Sequence, residues 1–102
     1  MTLFYEELVD LSPLITELEA QGIERDAHDD LILIVRSTMH HTVMDALFAN
    51  LEQDHIDHLI ALLASNEEQA LPFVREKISD ADGLISKNIG ETLDLFLADL
   101  RE

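Results

Sequence analysis

The stretch that decides the fold runs from Asp26 to Asn50 and reads DAHDDLILIVRSTMHHTVMDALFAN. Its apolar residues recur at intervals of three and four, which is the spacing of an α-helix and not of a strand. Asp26 is a good N-cap, and Asp29 and Asp30 lie in the first turn, where the helix dipole favours negative charge. The sequence therefore predicts one long helix over about residues 26–50.

The first half of that helix, Leu31–Val35, is apolar on every side. A helical segment that is apolar all round must be covered all round. In a chain of 102 residues it either runs through the middle of a bundle or is covered in part by a second subunit. We expect a homodimer, because two-fold homo-oligomers are the commonest outcome for such surfaces. The predicted interface consists of Leu31, Ile32, Ile34 and Val35, together with Leu3, Phe4 and Leu8 from the first segment.

The remainder of the chain predicts helices packed around the long one. Ser12-Pro13 is a helix start, and Gly22 ends that helix in a left-handed conformation. Pro72 either kinks a helix or lies near its true start, close to Leu71. Further helices are expected over about 51–64 and from Ser79-Asp80 to about Leu100, and a short or frayed one within Leu3–Leu11. The prediction is an all-α single domain, residues 1–102, with about five helices in a compact bundle.

Two glycines of the last predicted helix, Gly83 and Gly90, lie seven residues apart, so one side of that helix is bare. Each weakens a helix by up to about 1 kcal/mol relative to alanine. The other interpretation is that a neighbouring helix approaches closely there.

The charge balance narrows the classes of partner. Six Lys and Arg residues against 22 Asp and Glu residues give a net charge of −16. A protein that binds nucleic acid directly needs a positive surface charge, so we do not expect this chain to bind DNA or RNA. An apolar content of 47% also argues against a disordered acidic tail. A negative surface attracts basic protein partners, and one hypothesis is a nucleic-acid mimic that inhibits such a partner.

The sequence also bears on compartment. The chain has no cysteine, so disulfides and thiolate metal sites are excluded. The N-terminal MTLFYEELVDL lacks the features of a secretory signal, and the longest apolar run, Leu59–Ala64, is far too short to span a bilayer. We expect a cytoplasmic protein with no membrane association.

The histidines suggest one metal hypothesis. Glu52, His55 and His58 combine the Glu-x-x-His spacing of di-iron helices with a second imidazole one turn away, and carboxylate plus imidazole suits iron, manganese or zinc. The alternative is a solvated helix face, because a di-iron site needs a second copy of the motif and two further carboxylates. Of the neighbouring pair His40-His41, one must face the apolar stripe, where we expect it to be hydrogen-bonded.

No feature points to catalysis. The chain has no Gly-x-Ser-x-Gly elbow and no glycine-rich phosphate loop. We therefore expect a non-enzymatic, acidic protein-interaction module that self-associates and carries no cofactor.

Several short motifs resemble a known family. They are Glu17-Leu18 with Gly22-Ile23, the run Leu51–Leu59, Ser65–Glu68, Phe73–Ile78 and Asp80–Ile85. From Leu18 to Leu100 the chain resembles the bacterial domain of unknown function family numbered 5663, which comprises small acidic helical proteins with no assigned activity. Glu52, Pro72 and Ser79 depart from its pattern. The resemblance implies a helical fold and carries over no functional residue.

Overall fold

The computed structural model describes residues 3–101, which form five α-helices and two 3₁₀ turns without any strand. Residues 3–101 are 83% helical, which confirms the predicted all-α class and the long central helix. The elements in order are a first 3₁₀ turn (Glu6–Leu8), α1 (Ser12–Ala20), α2 (Arg25–Ala49), α3 (Gln53–Ser65), a second 3₁₀ turn (Glu67–Gln69), α4 (Ala70–Lys77) and α5 (Ala81–Arg101).

The predicted N-cap of the long helix is wrong. Helix α2 begins at Arg25, and its N-cap is Glu24, which forms no side-chain capping hydrogen bond, so Asp26 lies in the first turn.

Other helix ends follow local sequence signals. Gly22 adopts a φ of 68° directly after α1, the left-handed conformation that glycine adopts without steric cost. Pro72 lies in the first turn of α4, where its missing N–H is not needed, so of the two predicted alternatives the later helix start is correct. Asp80 precedes α5, and its Oδ1 accepts a 3.2 Å hydrogen bond from the Gly83 N–H, as an N-cap aspartate does.

The core lies mainly between α2 and α5. Gln21 Nε2 donates to the Leu100 carbonyl, so the end of α1 lies beside the end of α5. Because α2 begins a few residues after α1, the start of α2 lies near the end of α5, and the two long helices run antiparallel. Buried side chains recur every fourth residue on both helices, which places them along one side of each. These rows are Val35, Met39, Val43 and Leu47 on α2, and Ala81, Ile85, Ile89, Leu93 and Leu97 on α5.

The bundle is elongated. Its extents are 46 × 23 × 18 Å and its radius of gyration is 15.1 Å, against about 13 Å for a compact domain of this size. A helix of 25 residues is about 37 Å long at 1.5 Å per residue, so α2 spans most of the long dimension. With α5 along one side, the short helices α1, α3 and α4 are too few to surround it.

The chain consequently leaves one side of Leu31–Val35 open. Val35 is buried, and Leu31 and Ile32 are half-buried. Leu33 and Ile34, by contrast, are 55% and 52% exposed. The prediction that this segment runs through the middle of the bundle is therefore wrong, because the chain has too few helices to cover both sides of α2.

The chain itself covers the N-terminal part of the predicted interface only in part. Leu3 is buried, and Phe4 and Leu8 pack partly buried against the core. This segment lies against α2, where Tyr5 is fully buried. Leu3 is thus a core residue of the protomer and not part of an interface, whereas the interface role of Phe4 and Leu8 stays a prediction.

Two polar contacts fasten the N-terminal segment to α2. The buried Tyr5 hydroxyl and His40 Nδ1 form a 2.9 Å hydrogen bond, so His40 is the hydrogen-bonded member of the His40-His41 pair, as predicted. Burial raises the pKa of Tyr5, and burial together with the neighbouring His41 lowers the pKa of His40. Beside them the Arg36 guanidinium donates to both carboxylate oxygens of Glu6 and lowers the pKa of that carboxyl.

Candidate interaction surfaces

The first candidate surface is the exposed side of α2, called here the α2 face. Leu33 and Ile34 form its apolar centre. Of the four α2 residues predicted for the interface only Ile34 is exposed here; the prediction is wrong for Val35, which is buried within the protomer, and Leu31 and Ile32 are half-buried. The spacing of the helix places further exposed residues on the same side. The α2 face comprises Asp26, Asp30, Leu33, Ile34, Ser37, Thr38 and His41, all of them exposed.

The two ends of the α2 face differ in chemistry. Toward the start of the helix it carries the carboxylates of Asp26 and Asp30, and toward the end it carries hydroxyl groups and the His41 imidazole. The first end only accepts hydrogen bonds, whereas the second end can donate them. The α2 face is therefore complementary to an antiparallel copy of itself.

The predicted metal ligands do not converge. Within residues 3–101 no group of three or more His, Asp or Glu side chains is arranged to hold a metal ion. Glu52 is the exposed residue before the first turn of α3. The structure thus does not assemble Glu52, His55 and His58 into a site.

The two histidines of α3 instead cover an aromatic ring of α4. The ring centroids of His58 and Phe73 are 4.4 Å apart, and those of His55 and Phe73 are 6.1 Å apart in an edge-on arrangement. Lys77 Nζ lies 5.9 Å from the same Phe73 ring on the side of α4. The spacing of three that suggested metal ligands here serves to pack α3 against α4.

A second candidate surface consists of two grooves that share Pro72 as a wall. The first groove, of about 330 Å³, lies between the N-terminal segment, the second 3₁₀ turn and α4. Its floor is apolar and its rim is mostly acidic. It is lined by Leu3, Phe4, Leu71 and Pro72, and by Glu7, Glu67, Glu68 and Arg75.

The single cation of the first groove is held by carboxylates. Arg75 Nε donates to Asp82 Oδ1 at 2.8 Å and Arg75 Nη2 donates to Asp82 Oδ2 at 3.0 Å, while Glu7 Oε1 lies 3.6 Å from Nη2. Hydrogen bonding to Arg75 lowers the pKa of the Asp82 carboxyl. Glu67 and Glu68 form no ion pair among residues 3–101, so the groove has a net negative lining.

The second groove, of about 320 Å³, lies on the α3 side of Pro72. It is more apolar than the first, and one carboxylate stands at its edge. It is lined by His58, Leu62, Gln69, Pro72, Phe73 and Glu76. Glu76 lies 3.6 Å from Lys77 Nζ, so this groove has little net charge.

Sequence reasoning did not find these grooves. The exposed proline was visible as a helix signal, and Glu67-Glu68 as first-turn carboxylates. These residues lie beside Leu3 and Phe4 because the chain folds back on itself over more than 60 residues. No local sequence pattern predicts such a long-range contact.

The remaining histidine lies near the start of α2. His28 is half-buried, and its Nε2 atom is buried without a hydrogen-bond partner among the described residues. A groove of about 350 Å³ between α1 and α2 contains it, with Ile15, Glu19, Arg25, Asp29 and Ile32 as the other lining residues.

Comparison with known proteins gives no relative for this chain. No family model matches it, and neither do the curated proteins or the solved structures. The resemblance to the family numbered 5663 stays a prediction. Among residues 3–101, no helix combines the length and the apolar character that crossing a membrane requires.

Proposed function

We propose that the protein is a non-enzymatic interaction module that self-associates as a two-fold dimer through the α2 face. The observation that carries this proposal is the exposure of Leu33 and Ile34, at 55% and 52%, in the middle of the longest helix. Adjacent large aliphatic side chains exposed at one place mark an interaction surface more often than scattered ones do. Their burial supplies a driving force for association.

A second copy of this chain is the occupant that fits the α2 face best. Two α2 helices can pair antiparallel about the midpoint between Leu33 and Ile34. In that arrangement the numbers of two residues that lie opposite each other add up to 67. Asp30 then lies opposite Ser37, and Asp26 lies opposite His41. Hydroxyl and imidazole donors thereby meet carboxylate acceptors. A parallel pairing would bring equal carboxylates together, which is destabilising.

The net charge of the protomer opposes its own association. Two chains of −16 each repel one another, and added salt screens exposed charges. We therefore expect the dimer to become tighter as ionic strength rises. Binding of a basic partner by a nucleic-acid mimic has the opposite salt dependence, because salt weakens attraction between opposite charges.

Sedimentation equilibrium over a range of protein and salt concentrations tests the proposal. We expect a mass of twice 11.5 kDa at micromolar concentration and a dissociation constant that falls as the salt concentration rises. A protein that remains monomeric at submillimolar concentration and high salt would contradict it.

The orientation can be tested separately, since the chain has no cysteine. In the antiparallel pairing, Asp30→Cys protein mixed with Ser37→Cys protein forms a covalent heterodimer. Ser37→Cys alone does not, because its two copies lie about 10 Å apart along the axis at 1.5 Å per residue, beyond the roughly 7 Å between Cα atoms that a disulfide allows. Efficient cross-linking of Ser37→Cys to itself would show a parallel arrangement.

A further inference from the structure

We infer that the two grooves beside Pro72 bind an extended basic segment of a protein partner, with a lysine or arginine side chain in the first groove and an apolar side chain in the second. This inference goes beyond self-association and is independent of it. No residue of the α2 face lines either groove.

The size and arrangement of the grooves favour an extended segment. At about 330 and 320 Å³ each lies at the lower end of the range for ligand pockets, and each is suited to a side chain and not to a large ligand. They are neighbours across a single exposed proline. An extended chain points residues i and i+2 to the same side, about 6.8 Å apart, so one segment that crosses Pro72 can fill both.

The charges of the first groove determine the chemistry of its occupant. Glu67 and Glu68 carry uncompensated charge at the rim, whereas Arg75 is already neutralised by Asp82 through two hydrogen bonds. A lysine or arginine side chain has an aliphatic stem that packs on apolar surface and a charged head that stays at the rim. The Phe4 and Pro72 side chains offer that apolar surface. An acidic occupant would be repelled.

The second groove calls for a different side chain. Glu76, its only carboxylate, lies beside Lys77, and the Phe73 ring is already approached by the Lys77 ammonium. A second cation would meet that ammonium. An aliphatic side chain packs on Leu62 and Phe73 without electrostatic cost, so the recognised pattern is a basic residue followed two positions later by an apolar one.

An NMR titration with a defined peptide tests this inference. The probe is the peptide acetyl-Gly-Lys-Gly-Leu-Gly-amide, added to the ¹⁵N-labelled full chain at about 0.02 M and at about 0.2 M ionic strength. We expect changes in amide chemical shift concentrated in residues 67–77 and weaker binding at the higher salt. A peptide with Glu in place of Lys should not bind, and equal binding of that peptide would overturn the inference.

Matched variants separate a specific groove from general attraction to a negative protein. The variant Glu67→Gln/Glu68→Gln should weaken binding roughly two- to thirtyfold, from about 0.2–1 kcal/mol for each exposed charge pair. The variant Glu24→Gln/Glu91→Gln makes the same charge change at exposed positions outside both grooves and should leave the dissociation constant within about twofold. Equal weakening by both double variants would overturn the inference.

Two further variants make the test independent of folding and of self-association. Pro72→Ala keeps every charge and removes the apolar wall that the two grooves share, at an exposed position. It should weaken binding of the peptide and leave the circular dichroism spectrum unchanged. The variant Leu33→Gln/Ile34→Gln, altered only on the α2 face, should bind the peptide as the wild type does. If the protein does not self-associate, the peptide-binding test of the grooves therefore remains valid. If the peptide does not bind, the test of self-association likewise remains valid.

Discussion

Replacing both exposed aliphatic residues of α2 by glutamine is the sharpest test of self-association. Complete burial of a Leu or Ile side chain contributes about 1.5–3 kcal/mol. Because Leu33 and Ile34 are 55% and 52% exposed in the protomer, association can bury about half of each, which corresponds to roughly 0.8–1.5 kcal/mol per side chain. A two-fold dimer contains four such side chains. The variant Leu33→Gln/Ile34→Gln therefore loses about 3–6 kcal/mol of dimerisation free energy, or roughly two to four powers of ten in dissociation constant.

The same variant should leave the folded protomer nearly unchanged. Glutamine has a helix propensity close to that of leucine and better than that of isoleucine, and substitutions at exposed positions usually alter stability by less than about 0.5 kcal/mol. The matched control is Leu95→Gln, which removes a side chain 70% exposed on α5 and outside the α2 face. Sedimentation equilibrium gives the dissociation constants, and urea unfolding of monomeric samples gives the free energy of unfolding.

Two results would refute this reasoning. One is a Leu33→Gln/Ile34→Gln variant whose dissociation constant equals that of the wild type. The other is a Leu95→Gln control that weakens the dimer as strongly, which would move the interface to α5. A large loss of folding stability in the double variant would instead contradict the exposure on which the magnitude depends.

Three further predictions concern the fold. Tyr5→Phe removes the hydroxyl that is hydrogen-bonded to His40 Nδ1 and should cost about 1–1.5 kcal/mol, measured by urea unfolding with an unchanged dependence on denaturant. His40→Asn keeps an acceptor near the Tyr5 hydroxyl but cannot titrate. Burial lowers the pKa of His40 below its ordinary value of 6.5, so below pH 6.5 the unfolded chain binds the proton more readily than the folded protein does. The wild type should therefore lose stability relative to His40→Asn as the pH falls below 6.5, whereas above pH 6.5 the stabilities of the two proteins should change with pH in parallel. Curves that stay parallel below pH 6.5 would contradict this. Gly22→Ala, at a φ of 68°, should destabilise by about 1–2 kcal/mol, whereas Gly90→Ala within α5, where an added Cβ meets nothing within 4 Å, should stabilise by about 0.5–1 kcal/mol; thermal unfolding that gives both changes the same sign would refute the distinction.

The glycines of α5 show where a sequence pattern left two outcomes open. Their spacing allowed either two weak points or the close approach of another helix. At Gly90 the space beside the backbone is open, so no helix approaches there. At Gly83 an added Cβ would collide with the Asp80 carboxylate, which caps the same helix, so the constraint is local and not an interhelical contact.

The sequence by itself determined the helices and most of their ends. Periodicity, the Ser12-Pro13 start, the Gly22 stop and the Ser79-Asp80 start act within a few residues, and such local signals need no knowledge of the partner elements. It also determined the acidic character, because net charge is a sum over the chain.

Only the tertiary structure decided which apolar residues are left over. Leu3 and Leu33 are equally apolar in the sequence, yet the first is buried and the second is 55% exposed. The difference depends on how few helices are available to cover a 25-residue α2, which is a property of the whole arrangement. For the same reason His55 and His58 lie against the Phe73 ring, and Glu67 and Phe4 line the same groove. Side-chain spacing defines a helix face, but the packing of other segments determines what that face contacts.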